Sequence, residues 1–300
     1  MDNRAKSFYL CLLMSIVMLA LPLTSLPIGN DIQIKSSNIA TSSVKSQTTW
    51  SGVVELTGSY TIDISDELVI APCTLVKLPN TARIFVEGRL SIEGDLTCPV
   101  IIDQSGSGLH YGIQFNQSSF GRGSIIDNLS IDNSMYGITI YGSNPVLNNI
   151  TINNPSRVGI DLFSGANPII SDLIVDQSGR GFTYSDWRYG IGLSVGAGSS
   201  PIVERATLTD LRIRGLNIWG DSGGIYRQLT INNVTAEGAS AISAGVWVED
   251  SRPLITNVSV DKSDYGILIR HIDDGGNTRA VVRDCLVTNS MYRGCLLYTS

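Results

Sequence analysis

From Trp50 onward the chain is a succession of short segments in which apolar and polar residues alternate, with Gly, Pro, Asn or Asp between them. Alternation with a period of two marks strands with one buried face, and the apolar positions are largely β-branched. Two kinds of segment recur. The first reads Tyr111-Gly112-Ile113-Gln114-Phe115 and Tyr136-Gly137-Ile138-Thr139-Ile140, and returns at Val158-Gly159-Ile160, Tyr189-Gly190-Ile191, Arg214-Gly215-Leu216, Ala244-Gly245-Val246 and Tyr265-Gly266-Ile267. The second runs from Pro145 to Ile152 and repeats at Ser124 to Ile131, Pro168 to Val175, Pro201 to Leu208, Gly224 to Ile231, Pro253 to Val260 and Ala280 to Val287.

The glycines of the first unit are spaced 21 to 31 residues apart. A unit of that size cannot bury its own apolar face, so the units must stack. The expected fold is all-β, a right-handed parallel β-helix in which each rung covers the edge of the last. Ile138, Ile160, Ile191, Leu216, Val246 and Ile267 are expected to form one inward column. Segments Leu68 to Ile70, Thr74 to Leu78 and Arg83 to Gly88 read as an opening coil, followed by Arg89 to Gly94 and Pro99 to Asp103. That register sets Cys73 beside Cys98 on adjacent rungs, where an oxidising compartment would join them as a disulfide. Cys285 falls in the inward column of Leu129, Ile150, Leu173 and Val258 and is expected to be a buried free thiol.

Two further columns read as structural. Tyr111, Tyr136, Tyr189 and Tyr265 precede the repeated glycines and are expected to stack. Asn128, Asn149, Asp172, Gln228, Asn257 and Asp284 form a polar ladder suited to satisfying backbone groups at a bend. Asn116, Asn128, Asn149, Asn233 and Asn257 also open N-x-S/T sequons, so glycosylation competes with the ladder reading.

Composition narrows the partners. Apolar residues make up 43% and charged ones 16%, with a net charge of -6 and 30 glycines. No cluster of Lys and Arg is present to neutralise phosphates, which argues against nucleic acid. Arg4 and Lys6 precede an apolar run from Ser7 to Leu23, so residues 1–25 read as a signal peptide and the protein as secreted or held at the cell surface. Residues 26–49 read as a flexible polar linker, and residues 50–294 as the solenoid. The last six residues, Cys295 to Ser300, back-translate to a transposon end used in preparing sequencing libraries. They read as a foreign tail on a helix expected to continue, because Asn289-Ser290-Met291-Tyr292 repeats Asn133-Ser134-Met135-Tyr136.

These repeats resemble the pectin-lyase-like right-handed β-helix superfamily, including its carbohydrate-binding and sugar-hydrolase members. The resemblance covers about Trp50 to Gly294, with an opening, Trp50-Ser51-Gly52 through Pro72-Cys73-Thr74 to Val86-Glu87-Gly88-Arg89-Leu90, similar to that of surface β-helix proteins. It implies the fold and a glycan partner. It does not imply an activity, because such scaffolds serve lyases, glycosidases and adhesins alike. The hydrolases of the superfamily carry N-T-D, D-D and G-H-G motifs. Asp273-Asp274 supplies a D-D pair without the other two, and His110 lies in Gly-Leu-His-Tyr.

Two candidate sites follow. The turns after successive first units hold Asp221, then Asp250 and Arg252, then Arg270, His271, Asp273 and Asp274, expected on one side of the solenoid. Carboxylates gathered there would bind calcium, with Asp273 and Asp274 as its oxygen ligands, or act as general acid and base. The same residues suit an ordinary solvated turn. The second candidate is a long loop carrying Arg180, Phe182, Tyr184, Asp186, Trp187 and Arg188, whose rings and charges suit sugar recognition or a fold onto the solenoid flank. With no complete catalytic motif, the favoured expectation is a glycan-binding or structural, adhesin-like surface protein needing no cofactor. The alternative is a polysaccharide lyase or glycoside hydrolase acting on an acidic polysaccharide along the outer face.

Overall fold

The computed structural model describes residues 45–180, 189–236, 242–270 and 279–298. The segment read as a signal peptide lies outside them, as does most of the linker. The first rung opens inside that linker, where Ser46–Trp50 pairs in parallel with Asp66–Ile70. All strand pairing is parallel, in one sheet of fourteen strands and one of ten, so the right-handed β-helix is the observed architecture.

The rungs change character along the axis. Near the N-terminus a coil has three short strands, such as Asp66–Ile70, Leu75–Leu78 and Ile84–Val86. From Ile125–Asp132 to Leu254–Ser263 the first two are fused into one bent strand, and they separate again as Val281–Arg283 and Leu286–Thr288. In Ile125–Asp132 the first half pairs with Arg89–Glu93 and the second half with Val100–Gln104. The bend falls at Asn128, whose φ is 53°, and recurs with positive φ at Asn149, Asp172, Arg205, Gln228, Asn257 and Asp284. Asn and Asp tolerate this left-handed conformation best among residues with a side chain. The expected polar column is therefore present, with Arg205 as a member that its residue type concealed. Its side chains face outward, half-buried at Asn128 and Asn149 and exposed from Asp172 onward. Asn128 Nδ2 donates to the Gly94 carbonyl at 2.8 Å, Asn149 donates to Asn128, and Arg205 pairs with Asp172 at 2.7 Å.

Inward residues form continuous apolar columns. One runs Ile113, Ile138, Ile160, Leu193, Leu216, Val246 and Ile267, each 1% exposed or less. Full burial of each such side chain stabilises by about 1.5–3 kcal/mol. Leu193 occupies the place expected for Ile191, which instead pairs with Val158 and Arg214. A slip of two residues preserves strand alternation, so Gly190 and Gly192 fit the pattern equally well. Packing separates them. The repeated glycine lies where the two sheets converge: a Cβ at Gly159 would stand 2.6 Å from the Gly192 carbonyl oxygen and 2.7 Å from the Val175 methyls.

Cys285 continues the column of Val258 but is half-buried, not buried, because among the described residues it packs on one side only. Cys73 and Cys98 are joined as a disulfide, with Cα atoms 4.8 Å apart. Arg293–Tyr298 extends the ten-stranded sheet, Cys295 opposite Ile267.

Candidate functional site

The middle strands of the ten-stranded sheet are buried on both faces. Val158–Phe163 and Ala244–Glu249 are each buried at five successive positions, and Ile191–Val195 throughout. In the sheet of fourteen, burial alternates. The outward column of the smaller sheet runs Thr139, Asp161, Ser194 and Asn217 on four successive rungs. These polar residues are 5%, 6%, 5% and 0% exposed.

Two rails of larger side chains enclose that column. At the C-terminal ends of the strands, Tyr141 stacks on Phe163 with ring centres 5.3 Å apart, and Trp219 meets Phe163 edge-on at 6.2 Å. Trp219 can lean back across the intervening rung because Gly196 stands there: a Cβ at Gly196 would come 2.3 Å from its ring. At the N-terminal ends, Arg83 lies 4.6 Å from the Tyr111 ring centre, and Tyr111 meets Tyr136 at 6.1 Å. Arg157 donates to the phenolic oxygens of Tyr136 and Tyr189, both at 2.8 Å. The tyrosine column is therefore only partly a stack. Tyr189 belongs two residues earlier in register, and arginine fills the gap between rings. Arg83, Tyr111, Tyr136 and Arg157 on one side and Tyr141, Phe163 and Trp219 on the other, with Thr139, Asp161 and Ser194 between them, line a groove of about 640 Å³; Asn217 lies outside that lining.

Its electrostatics are set by lost water. Burial pushes the Asp161 carboxyl up to about 7, and the Ser194 hydroxyl only partly offsets this. Asp161 Oδ1 and Asn217 Nδ2 are buried with no hydrogen-bond partner among the described residues. Burial also raises the Tyr141 phenol, reinforced by Asp161. For Arg157 burial opposes the charge, but the bonds to Tyr136 and Tyr189 outweigh it and hold the guanidinium above its ordinary value. Beyond the groove, Arg214 and Arg270 lie 4.0 and 4.5 Å from the Trp247 ring centre. Arg270 also pairs with Glu249 at 2.7 Å.

The family model described as the right handed beta helix region matches residues 100–262. The chain belongs to the right-handed β-helix family. No curated protein sequence matches it. Among solved structures, this β-helix is similar to an alginate lyase from Paenibacillus sp. str. FPU-7, at 12% identity and a TM-score of 0.45, over 83% of this chain and 98% of that one. It is also similar to the catalytic domain of a GH87 alpha-1,3-glucanase in complex with tetrasaccharides, at 12% identity and a TM-score of 0.38, over 81% of this chain and 66% of that one.

The residues singled out from the sequence lie elsewhere on this β-helix. Asp221, Asp250 and Arg270 do share one column of turns: the Asp221 N–H donates to the Asp250 carbonyl at 2.9 Å, and the Asp250 N–H to that of Arg270 at 3.3 Å. Arg252 is exposed beside them, its N–H on the Ser222 carbonyl at 2.8 Å. None of the four lines the groove. His271, Asp273 and Asp274, the expected calcium ligands among them, lie outside the described residues. So do Phe182, Tyr184, Asp186, Trp187 and Arg188. Arg180 is described, and its guanidinium bonds the carbonyls of Asp210, Leu211 and Asn233 at 3.0 to 3.3 Å. Among the described residues, no three His, Cys, Asp or Glu side chains gather as a metal site would require. His110 is fully buried: Nδ1 accepts from the Gly112 N–H at 3.0 Å and Nε2 lies 2.9 Å from the Asp132 carbonyl, a pattern that assigns the proton to Nε2.

Asp161, Ser194 and Asn217 had one signal in the sequence. They occupy the middle position of the apolar-x-apolar strands, where Thr139 also stands. Nothing in that position announces burial, which comes from the rails.

Proposed function

We propose that this β-helix binds a polysaccharide chain along the outer face of its ten-stranded sheet. The observation that carries the reading is the groove itself, where aromatic rings flank the buried polar side chains of Thr139, Asp161 and Ser194, and Asp161 Oδ1 holds unmet hydrogen-bonding capacity. Buried polar groups are ordinarily partnered, because leaving one unpaired costs about 1–3 kcal/mol. A glycan supplies what is missing: a hydroxyl for Asp161, and apolar sugar faces for Tyr141, Phe163 and Trp219. Mobility-shift electrophoresis in gels containing soluble polysaccharides tests this. Retardation by at least one polymer, lost in Trp219→Ala and kept in Arg205→Ala on the other sheet, is the expected result. Equal mobility across all polymers would end the reading.

Turnover of the chain is a second reading, and one observation favours it. Asp161 holds its proton near neutral pH, as a general acid must. Glycoside hydrolysis ordinarily needs a second carboxylate across the scissile bond. Asp161 is the only carboxylate in the groove lining among the described residues, so binding is the better-supported function. Product release assayed against pH separates the two, since hydrolysis through Asp161 would stop in Asp161→Asn. We also read the protein as exported, on the strength of its basic and apolar N-terminus. Fractionating the producing cells tests that, and a protein retained in the cytoplasm would refute it.

A further inference from the structure

Resting on the glycan-binding reading, we propose that the groove is a trough closed at both ends, holding a short stretch of glycan of about three sugar units, roughly one per rung. The outward column of the ten-stranded sheet runs Gln114, Thr139, Asp161, Ser194, Asn217 and Trp247 on successive rungs. Of these, Thr139, Asp161 and Ser194 line the groove, and Gln114, Asn217 and Trp247 do not. The floor stops short at both ends although the sheet continues.

A guanidinium accounts for each end. Beyond Ser194, Arg214 Nη1 donates to Asn217 Oδ1 at 2.6 Å, and the same side chain lies 4.0 Å from the Trp247 ring centre. Arg270 approaches that ring as well, at 4.5 Å. Asn217 and Trp247 are 0% and 4% exposed, although both stand in the outward column. From the opposite rail Trp219 leans back over Gly196 toward Phe163, which narrows the trough at the same end. Before Thr139, Arg83 donates to Gln114 and lies over the Phe85 and Tyr111 rings. The Gln114 amide also donates to Asn116 at 2.7 Å, so both its polar atoms are engaged.

The open floor therefore spans two rung intervals, about 10 Å at ~4.8 Å per rung. A cavity of about 640 Å³ is the size that encloses a compact small molecule. A sugar unit in an extended chain advances by close to one rung, so Thr139, Asp161 and Ser194 can each meet one unit, beside the rings of Tyr141, Phe163 and Trp219. A longer chain must rise off the sheet at Arg83 and Arg214, and its further units gain no floor. The chain length at which binding saturates is thus built into the trough.

The test is affinity against chain length. Gluco-, manno-, galacto- and galacturono-oligomers, from dimer to hexamer, are titrated calorimetrically into the protein. In any series that binds, affinity should rise about tenfold or more from dimer to tetramer and change less than about threefold from tetramer to hexamer. Arg214→Ala uncovers the Trp247 ring and Asn217, whose Nδ2 has no partner among the described residues. It should restore a gain of more than about threefold between tetramer and hexamer. Arg83→Ala should do so from the other end, and decides the matter if Arg214→Ala fails to fold. Three results each overturn the closed trough while leaving the groove a glycan site: a wild-type gain of more than about threefold from tetramer to hexamer, affinity already level at the dimer, or a plateau that no folded variant moves. Failure of every series to bind at every length overturns the glycan reading and this inference with it.

Discussion

On the fourteen-stranded sheet the outward column Ser130, Thr151, Ile174, Thr207, Thr230 and Ser259 stands half-buried or exposed. The corresponding column on the ten-stranded sheet, Thr139, Asp161, Ser194 and Asn217, is buried. Apart from Ile174, both are strings of short polar side chains, and they differ in what flanks the column. On the larger sheet the column is flanked by small or charged residues that pair with each other in water, such as Arg205 with Asp172 at the bend and Thr209 with Asp176 on its other side. The smaller sheet ends in rings and guanidinium groups that shelter the column between them. Shelter removes water from polar atoms without replacing every bond. On the larger face Arg227 Nε and Asn232 Oδ1 are also buried without a partner among the described residues. On the smaller face, however, the unpaired Asp161 Oδ1 belongs to a side chain that lines a sheltered groove, which is what a binding surface requires.

The largest expected effect tests the shared interior. Gly159→Val drives a side chain into the Gly192 backbone and the Val175 methyls, at a cost above about 3 kcal/mol. Thr207→Val, outward on the larger sheet, should change stability by less than about 0.5 kcal/mol. Calorimetric melting of both variants checks the pair, and similar melting points would contradict the convergence of the sheets at the glycine column.

Next comes the charge beneath the groove. Asp161 in the folded protein takes its proton at about 7 against an ordinary 3.8. The folded state therefore binds more protons between those values, its stability being greatest below 3.8 and falling as pH rises through 7. Asp161→Asn should stabilise the protein at pH 8 by something on the order of 3 kcal/mol and make little difference at pH 4. Urea midpoints at the two pH values decide it. A variant less stable than wild type at pH 8 would show that the carboxylate is satisfied.

Smaller changes probe the rails. Trp219→Ala should weaken glycan binding tenfold or more, about 1.4 kcal/mol, while leaving the core columns intact. The exposed ion pair on the opposite face gives the smallest effect. Arg205→Ala should cost under about 1 kcal/mol of stability, given that both partners are half exposed, and should not alter binding. Weakened binding in that variant would mean the glycan contacts the wrong sheet.

Much of the solenoid was legible because its signals are local and repeated. Alternation, glycine spacing and the second unit identified the rungs, and Asn128, Asn149 and Asp172 marked the bend by residue type. Two things were not legible. The register around Gly192 was lost because a slip of two residues looks identical in an alternating pattern, and the long coil preceding it offered two candidate glycines. The groove was missed because charge and aromatic clustering drew attention to the turns at Asp221, Asp250 and Arg270. Asp161 is an ordinary acid at an ordinary outward position until its neighbours on other rungs are known.

The sequence by itself determined that the chain must stack: its units are too short to bury their own apolar faces, and their spacing leaves a parallel β-helix as the solution. Only the tertiary structure decided which outward column would become a site. That depended on Trp219 folding back across Gly196, and on Arg157 bridging tyrosines from different coils. These contacts join residues 21 to 32 positions apart, where no local pattern reaches.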